Sequence, residues 1–96
     1  MLLRKINQEN IFKKIETISE TDLDEEKIIM DTDSGKFISI NNTGSVIYEE
    51  IDGIKSVNDI ILKLSERYGK SSELNEDILS FINLLFEKRL IEIIDK

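Results

Sequence analysis

Asp22, Asp24, Glu25 and Glu26 place four carboxylates within five positions. Such a cluster could in principle hold Mg²⁺ or Ca²⁺. Its spacing does not follow the alternating ligands and central glycine of a calcium-binding loop, so it reads as a solvated acidic turn. The chain has no cysteine and no histidine in 96 residues. Zinc held by thiolates and imidazoles, cysteine-ligated iron–sulfur clusters and Ser-His-Asp or Cys-His catalysis are thereby excluded. The remaining chemistry is that of the main chain. Lys36-Phe37-Ile38-Ser39-Ile40 reads as a strand in a small sheet, where an outer strand offers unpaired N–H and C=O groups. The reading requires no catalytic residue, no metal and no cofactor.

The elements that position this strand follow from local pattern. Lys27-Ile28-Ile29-Met30-Asp31 is an apolar run that pairs with it across the turn formers Thr32-Asp33-Ser34-Gly35. The hairpin strands are placed near 27–32 and 36–41. Ile11 to Ile18 is read as a first strand from its β-branched content, and the polar stretch from Ser19 to Glu26 as a loop. On the last strand Ile38 and Ile40 share one face, and Phe37 and Ser39 the other. Phe37 falls on the side that can be half exposed, where the first strand or the N-terminal arm could cover it.

After the hairpin the period changes from two to 3.6. Asn41-Asn42-Thr43-Gly44 suits a helix start, and Val46, Ile47, Tyr48 and Ile51 form one helical face up to Asp52-Gly53. Ser56 with Asp59 reads as a capping box for a second helix with an apolar stripe at Val57, Ile60, Ile61, Leu64 and Tyr68, ended by Gly69. A third helix begins between Ser71 and Asn75 and runs to about Lys88. Its apolar positions Ile78, Leu79, Phe81, Ile82, Leu84, Leu85 and Phe86 spread over roughly 240° of arc, far more than one core contact uses. Leu90-Ile91-Glu92-Ile93-Ile94 closes the chain as a short strand or extended tail. The expected fold class is α+β and winged-helix-like: a three-stranded antiparallel β-sheet followed by three α-helices. One domain spans 11–94, with residues 1–10 as an arm in which Leu2, Leu3 and Ile6 could dock.

A formal charge of −7 and a sequence pI near 4.6 disfavour a nucleic-acid surface, because no run of basic residues is present. No apolar run approaches membrane length, and the first residues lack a signal-peptide core. The expectation is a soluble, cytoplasmic protein.

The order of these motifs resembles the PqqD-like family, the RiPP recognition elements of ribosomally made, post-translationally modified peptides. The residues that carry the resemblance are Ile40-Asn41-Asn42-Thr43-Gly44, Ile47-Tyr48, Asp52-Gly53, Ser56-Val57, Leu64, Tyr68, Glu76-Asp77-Ile78, Phe81-Ile82, Leu85 and Leu90-Ile91, with the acidic turn Asp24-Glu25-Glu26 before the hairpin. It covers roughly residues 11–94. Two positions depart from the family's habit: Tyr48 stands where Trp is frequent and Phe37 where Tyr is frequent, the latter losing a phenol. The resemblance implies a non-catalytic chaperone in natural product biosynthesis. Such a protein binds the leader segment of a precursor peptide between the last hairpin strand and the third helix, and presents it to a modifying enzyme such as a protease, cyclase or radical SAM enzyme. Lys36, Phe37, Ile38, Ser39 and Ile40 are the candidates for strand pairing. Phe81, Leu84 and Leu85 are candidates for side-chain pockets, and Asp77 for a backbone N–H or a basic side chain of the peptide.

Three other readings compete. A winged-helix DNA-binding regulator would suit the helix count, but Glu73, Glu76, Asp77 and Glu87 would face phosphates. An enzyme in its own right would have to work through the acidic turn. A dimerisation or adaptor module for a larger enzyme overlaps with the favoured reading, and a homodimer through the sheet edge would occupy the binding groove.

Overall fold

The computed structural model describes residues 6–94. Its elements run β1 (Phe12–Lys14), β2 (Ile18–Asp22), β3 (Lys27–Asp31), β4 (Phe37–Ile40), α1 (Asn42–Glu49), α2 (Val57–Tyr68), α3 (Ser72–Glu87) and β5 (Ile91–Ile93). β2, β3 and β4 form a three-stranded antiparallel sheet in that order, and β1 pairs with β5 in a separate two-stranded ribbon. The expected α+β plan of a three-stranded sheet followed by three helices is therefore present.

Two boundaries are corrected. The expected single strand over Ile11 to Ile18 is split: β1 leaves the main sheet for β5, and the sheet's first strand is β2, inside the stretch read as a loop. The cause is the polar composition of β2. Glu20 lies opposite Ile29, which in turn lies opposite Ile38, so all three share the core-facing side. A carboxylate is tolerated there because Lys27 Nζ stands 3.3 Å from Glu20 Oε1 and the Tyr48 hydroxyl donates to Oε2 at 3.3 Å. Burial and the neighbouring Glu20 charge both push the Tyr48 phenol up, so it stays a donor. Apolar alternation, the usual mark of a strand, is lost where an ion pair replaces a hydrophobic contact.

The core is built from Ile29 and Ile40 of the sheet, Ile47, Tyr48 and Ile51 around α1, the Val57, Ile60, Ile61 and Leu64 stripe of α2, and Ile78, Ile82 and Leu85 of α3, closed by Phe12, Leu90 and Ile91. Helix starts fall where the caps predict. Asn41 Oδ1 accepts from Gly44 N at 2.9 Å, the Ser56–Asp59 capping box is complete, and Ser71 Oγ accepts from Leu74 N at 2.9 Å. Tyr68 departs from its predicted stripe and is 56% exposed. α3 ends in a Schellman turn, with Leu90 N–H donating to Leu85 O and Arg89 N–H to Phe86 O, and Arg89 carries φ +62° where glycine is usual.

In the N-terminal arm, Leu2 and Leu3 lie outside the described residues. Ile6 packs on the core, and the carbonyls of Gln8 and Asn10 accept from Asn58 and Val57 at the start of α2. This end of the arm is thus docked on α2.

Candidate functional site

β4 has β3 on one side and no strand on the other among the described residues. The register decides which main-chain groups face outward. Asp31 N–H donates to Lys36 O at 2.8 Å, and the pairs Met30↔Phe37, Ile29↔Ile38, Ile28↔Ser39 and Lys27↔Ile40 continue from it. In an antiparallel ladder hydrogen-bonded pairs alternate with non-bonded ones. Ile38 and Ile40 therefore turn their N–H and C=O toward β3, whereas Phe37 and Ser39 turn theirs to the open edge. Pairing by all four residues is ruled out by this alternation. Only every second residue has groups to offer.

Lys36 is committed to the turn. Its carbonyl takes the Asp31 bond and its N–H donates to Ser34 Oγ at 3.2 Å. The turn works because Gly35 adopts φ +81° and donates to Asp31 O at 2.7 Å, while the Asp31 carboxylate accepts from Thr17, Ser34 and the Asp33 N–H. Those hydrogen bonds from Thr17, Ser34 and Asp33 hold the Asp31 carboxyl down at about 2.

Across the edge lies α3. Its wide apolar arc divides as geometry requires. Ile78, Ile82 and Leu85 are fully buried, Leu79, Phe81 and Phe86 are half-buried against the core, and Leu84 remains 40% exposed. Asp77, Phe81 and Leu84, at spacings of four and three, line a trough of ≈ 450 Å³ whose opposite wall is Ile38, Ser39 and Ile40. The near end is formed by Asn41, Thr43, Gly44 and Ile47 at the start of α1.

Six of the nine residues singled out from the sequence thus meet around one trough: Ile38, Ser39, Ile40, Asp77, Phe81 and Leu84. The other three do not line it. Leu85 has no exposed surface and belongs to the core, because it shares its helix face with Ile78 and Ile82. Lys36 closes the hairpin. The Phe37 side chain is 60% exposed on the far face of the sheet, covered by neither the first strand nor residues 6–10, so it can serve the edge with main-chain groups alone. The helix-start residues were missed. Asn41, Thr43 and Gly44 were read as a cap signal, and a cap that also walls a groove leaves no further mark in composition.

The surroundings are acidic. Glu73, Glu76 and Asp77 lie exposed along the first half of α3, and Glu26 Oε1 accepts from Ser39 Oγ at 2.7 Å beside the edge. Carboxylates placed there repel a phosphate backbone. Among the described residues no group of three or more His, Cys, Asp or Glu side chains could hold a metal ion. No described helix is long and apolar enough to cross a membrane.

Comparison with known proteins places this geometry. The family model for Coenzyme PQQ synthesis protein D (PqqD) matches residues 26–91, from the acidic turn through β5's first residue. Proteins described as PqqA binding protein, from Stutzerimonas stutzeri (strain A1501) and Azotobacter vinelandii (strain DJ / ATCC BAA-1303), are each 30% identical over 56 residues. Those residues are 58% of this chain, and the match spans 61% of each relative's length. The solved structure of TbiB1 in complex with the TbiA(beta) leader peptide superposes with a TM-score of 0.71 over 88% of this chain and 99% of that one, at 19% identity, which establishes a shared fold. With the hairpin, the caps and the three helices all inside the matched span, this chain belongs to the PqqD family.

Proposed function

We propose that this protein binds the leader segment of a ribosomally made precursor peptide as an added strand on β4 and presents it to a peptide-modifying enzyme, carrying out no bond chemistry itself. The observation that carries the reading is the pairing of an open strand edge with an apolar helical wall across one trough. PqqA binding by the relatives and leader-peptide binding by the structural neighbour support it.

The edge accepts a peptide through the N–H and C=O of Phe37 and Ser39. The trough accepts its alternate side chains against Ile38, Phe81 and Leu84, and Asp77 attracts a basic residue or N–H at the margin. Three apolar anchors at ~2 kcal/mol each and four backbone bonds at ~1 kcal/mol each, less ~2–5 kcal/mol for ordering the peptide, correspond to a Kd from roughly 200 μM to about 1 μM. Such binding is reversible, as handing a substrate to an enzyme requires.

The test is calorimetric titration with the leader of a precursor encoded beside this gene. The wild-type chain should bind in that range, and Phe81→Asp should weaken binding at least about tenfold with the circular dichroism spectrum retained. Absence of binding by the wild type, or equal affinity of the variant, overturns the reading.

A further inference from the structure

The link between α1 and α2 carries the most exposed large apolar side chain among the described residues: Ile54 is 78% exposed. A lone exposed isoleucine is ordinary on a protein surface. What sets this one apart is the backbone beneath it. Asp52 Oδ1 accepts from the N–H groups of Ile54 and Lys55, each at 2.9 Å. Lys55 Nζ stands 2.6 Å from Asp52 Oδ2 and 3.3 Å from Glu50 Oε1 at the end of α1. Gly53, at φ +80°, donates its N–H to Phe12 O of β1 at 2.9 Å. Both neighbours of Ile54 are pinned, so its side chain projects from a fixed base.

Beside Ile54 lies a hollow of ≈ 470 Å³, walled also by the half-buried Ile11, Gln8 and Asn58. The two charged side chains that line it, Glu9 and Asp59, are both carboxylates. It shares no lining residue with the trough. The trough abuts the first turn of α1 and Ile54 lies beyond its last, so an eight-residue helix about 12 Å long separates them.

We infer that Ile54 and the hollow beside it are the docking site for the peptide-modifying enzyme, which meets them with an apolar socket rimmed by Lys or Arg. The inference rests on the reading of the trough given above. Presentation requires enzyme, leader and this chain to be held together, so the enzyme must grip a surface that the bound leader leaves uncovered. Ile54 lies on such a surface. A link already fixed by hydrogen bonds and ion pairs loses little freedom on association, so burying the Ile54 side chain goes into affinity. Glu9 and Asp59 set the sign of the rim: they attract a basic one. A second copy of this chain is the poorer occupant, because a twofold contact would set these carboxylates against their own counterparts.

Biolayer interferometry of the full chain, loaded with leader, against the purified modifying enzyme encoded beside this gene tests this. Ile54→Glu should weaken enzyme binding at least about tenfold, and Glu9→Lys about threefold or more. Both positions are exposed, so circular dichroism and the calorimetric affinity for the leader should stay at wild-type values. Added salt should weaken the wild-type complex more than the Glu9→Lys complex. If Ile54→Glu binds the enzyme as tightly as wild type while the leader still binds, the trough stands and the docking proposal falls. An enzyme that does not bind the leader-loaded wild type also overturns it. So does a loss of leader affinity in Ile54→Glu, which would assign the residue to the peptide site. A light-scattering dimer that Ile54→Glu dissociates overturns it as well, since a second copy would then cover Ile54. If the leader does not bind the wild type in calorimetry, the trough reading and this inference fall together.

Discussion

The Phe81 ring lies directly against the backbone of Gly44. A β-carbon at Gly44 would stand 3.0 Å from Phe81 Cε1, 3.2 Å from Phe81 Cζ and 3.2 Å from Ile40 Cβ. Gly44 sits in the first turn of α1, and its φ is not in the left-handed region, so glycine is used there for close approach. Its bareness lets an aromatic ring settle onto α1 and leaves the trough open beside it.

Gly44→Ala should therefore displace Phe81 toward the trough. In the helix the change gains up to ~1 kcal/mol of propensity, which offsets much of the steric cost. Denaturant unfolding should shift by no more than about 1 kcal/mol, while affinity for a leader peptide should fall by roughly threefold or more. Unchanged affinity would mean that the ring position is irrelevant to binding.

The alternation along β4 separates two proline substitutions. At Ser39 the N–H faces the open edge, so Ser39→Pro should leave the sheet folded and weaken peptide binding by ~1–2 kcal/mol, about tenfold. At Ile38 the N–H is spent on β3, so Ile38→Pro should cost ~3 kcal/mol or more of stability. Thermal unfolding and calorimetry on the pair check the register. A Ser39→Pro chain that binds as tightly as wild type would show that the Ser39 N–H is not used.

Arg89 holds φ +62° at the end of α3, a conformation that costs a non-glycine residue roughly 1 kcal/mol. The two Schellman bonds beneath it keep the turn in place. Arg89→Gly should raise stability by a few tenths to about 1 kcal/mol, the gain being limited by the greater freedom of glycine in the unfolded chain. Destabilisation in urea titration would show that the guanidinium makes a contact worth more than the strain.

Asp31 links acid stability to the hairpin. Its carboxyl is lowered from 3.8 to about 2 by the Thr17, Ser34 and Asp33 hydrogen bonds. A depressed carboxylate stabilises the fold fully above its unfolded value, and the contribution disappears as the pH falls through the folded value. The wild type should thus lose this contribution between about pH 4 and about pH 2, and Asp31→Asn should flatten that part of the stability profile. A D31N variant with an unaltered acid limb would place the acid sensitivity elsewhere.

Helices and caps were legible because their causes are local. Ser56 and Asp59 satisfy each other's backbone within one turn, and the α2 stripe follows the 3.6 period whatever packs upon it. The over-wide apolar arc of α3 was equally plain, and it announced that part of the helix either meets another element or remains an apolar surface, as Leu84 does. β2 was hidden because the partners of Glu20 are distant in the chain: Lys27 across a turn and Tyr48 on a helix.

Composition and periodicity alone settled that this chain works without histidine or cysteine chemistry, as a small sheet and three helices with apolar surface to spare. Only the assembled fold settled which part of that surface is available. Leu85 and Leu84 are neighbours of the same type, yet a turn of about 100° sends one into the core and leaves the other on the trough. Phe37 and Ile38 likewise differ in their offered backbone groups solely through the register set by the Asp31–Lys36 bond. A residue's type is a local property. Whether its surface or its hydrogen-bonding groups remain free depends on what the rest of the chain has placed beside it.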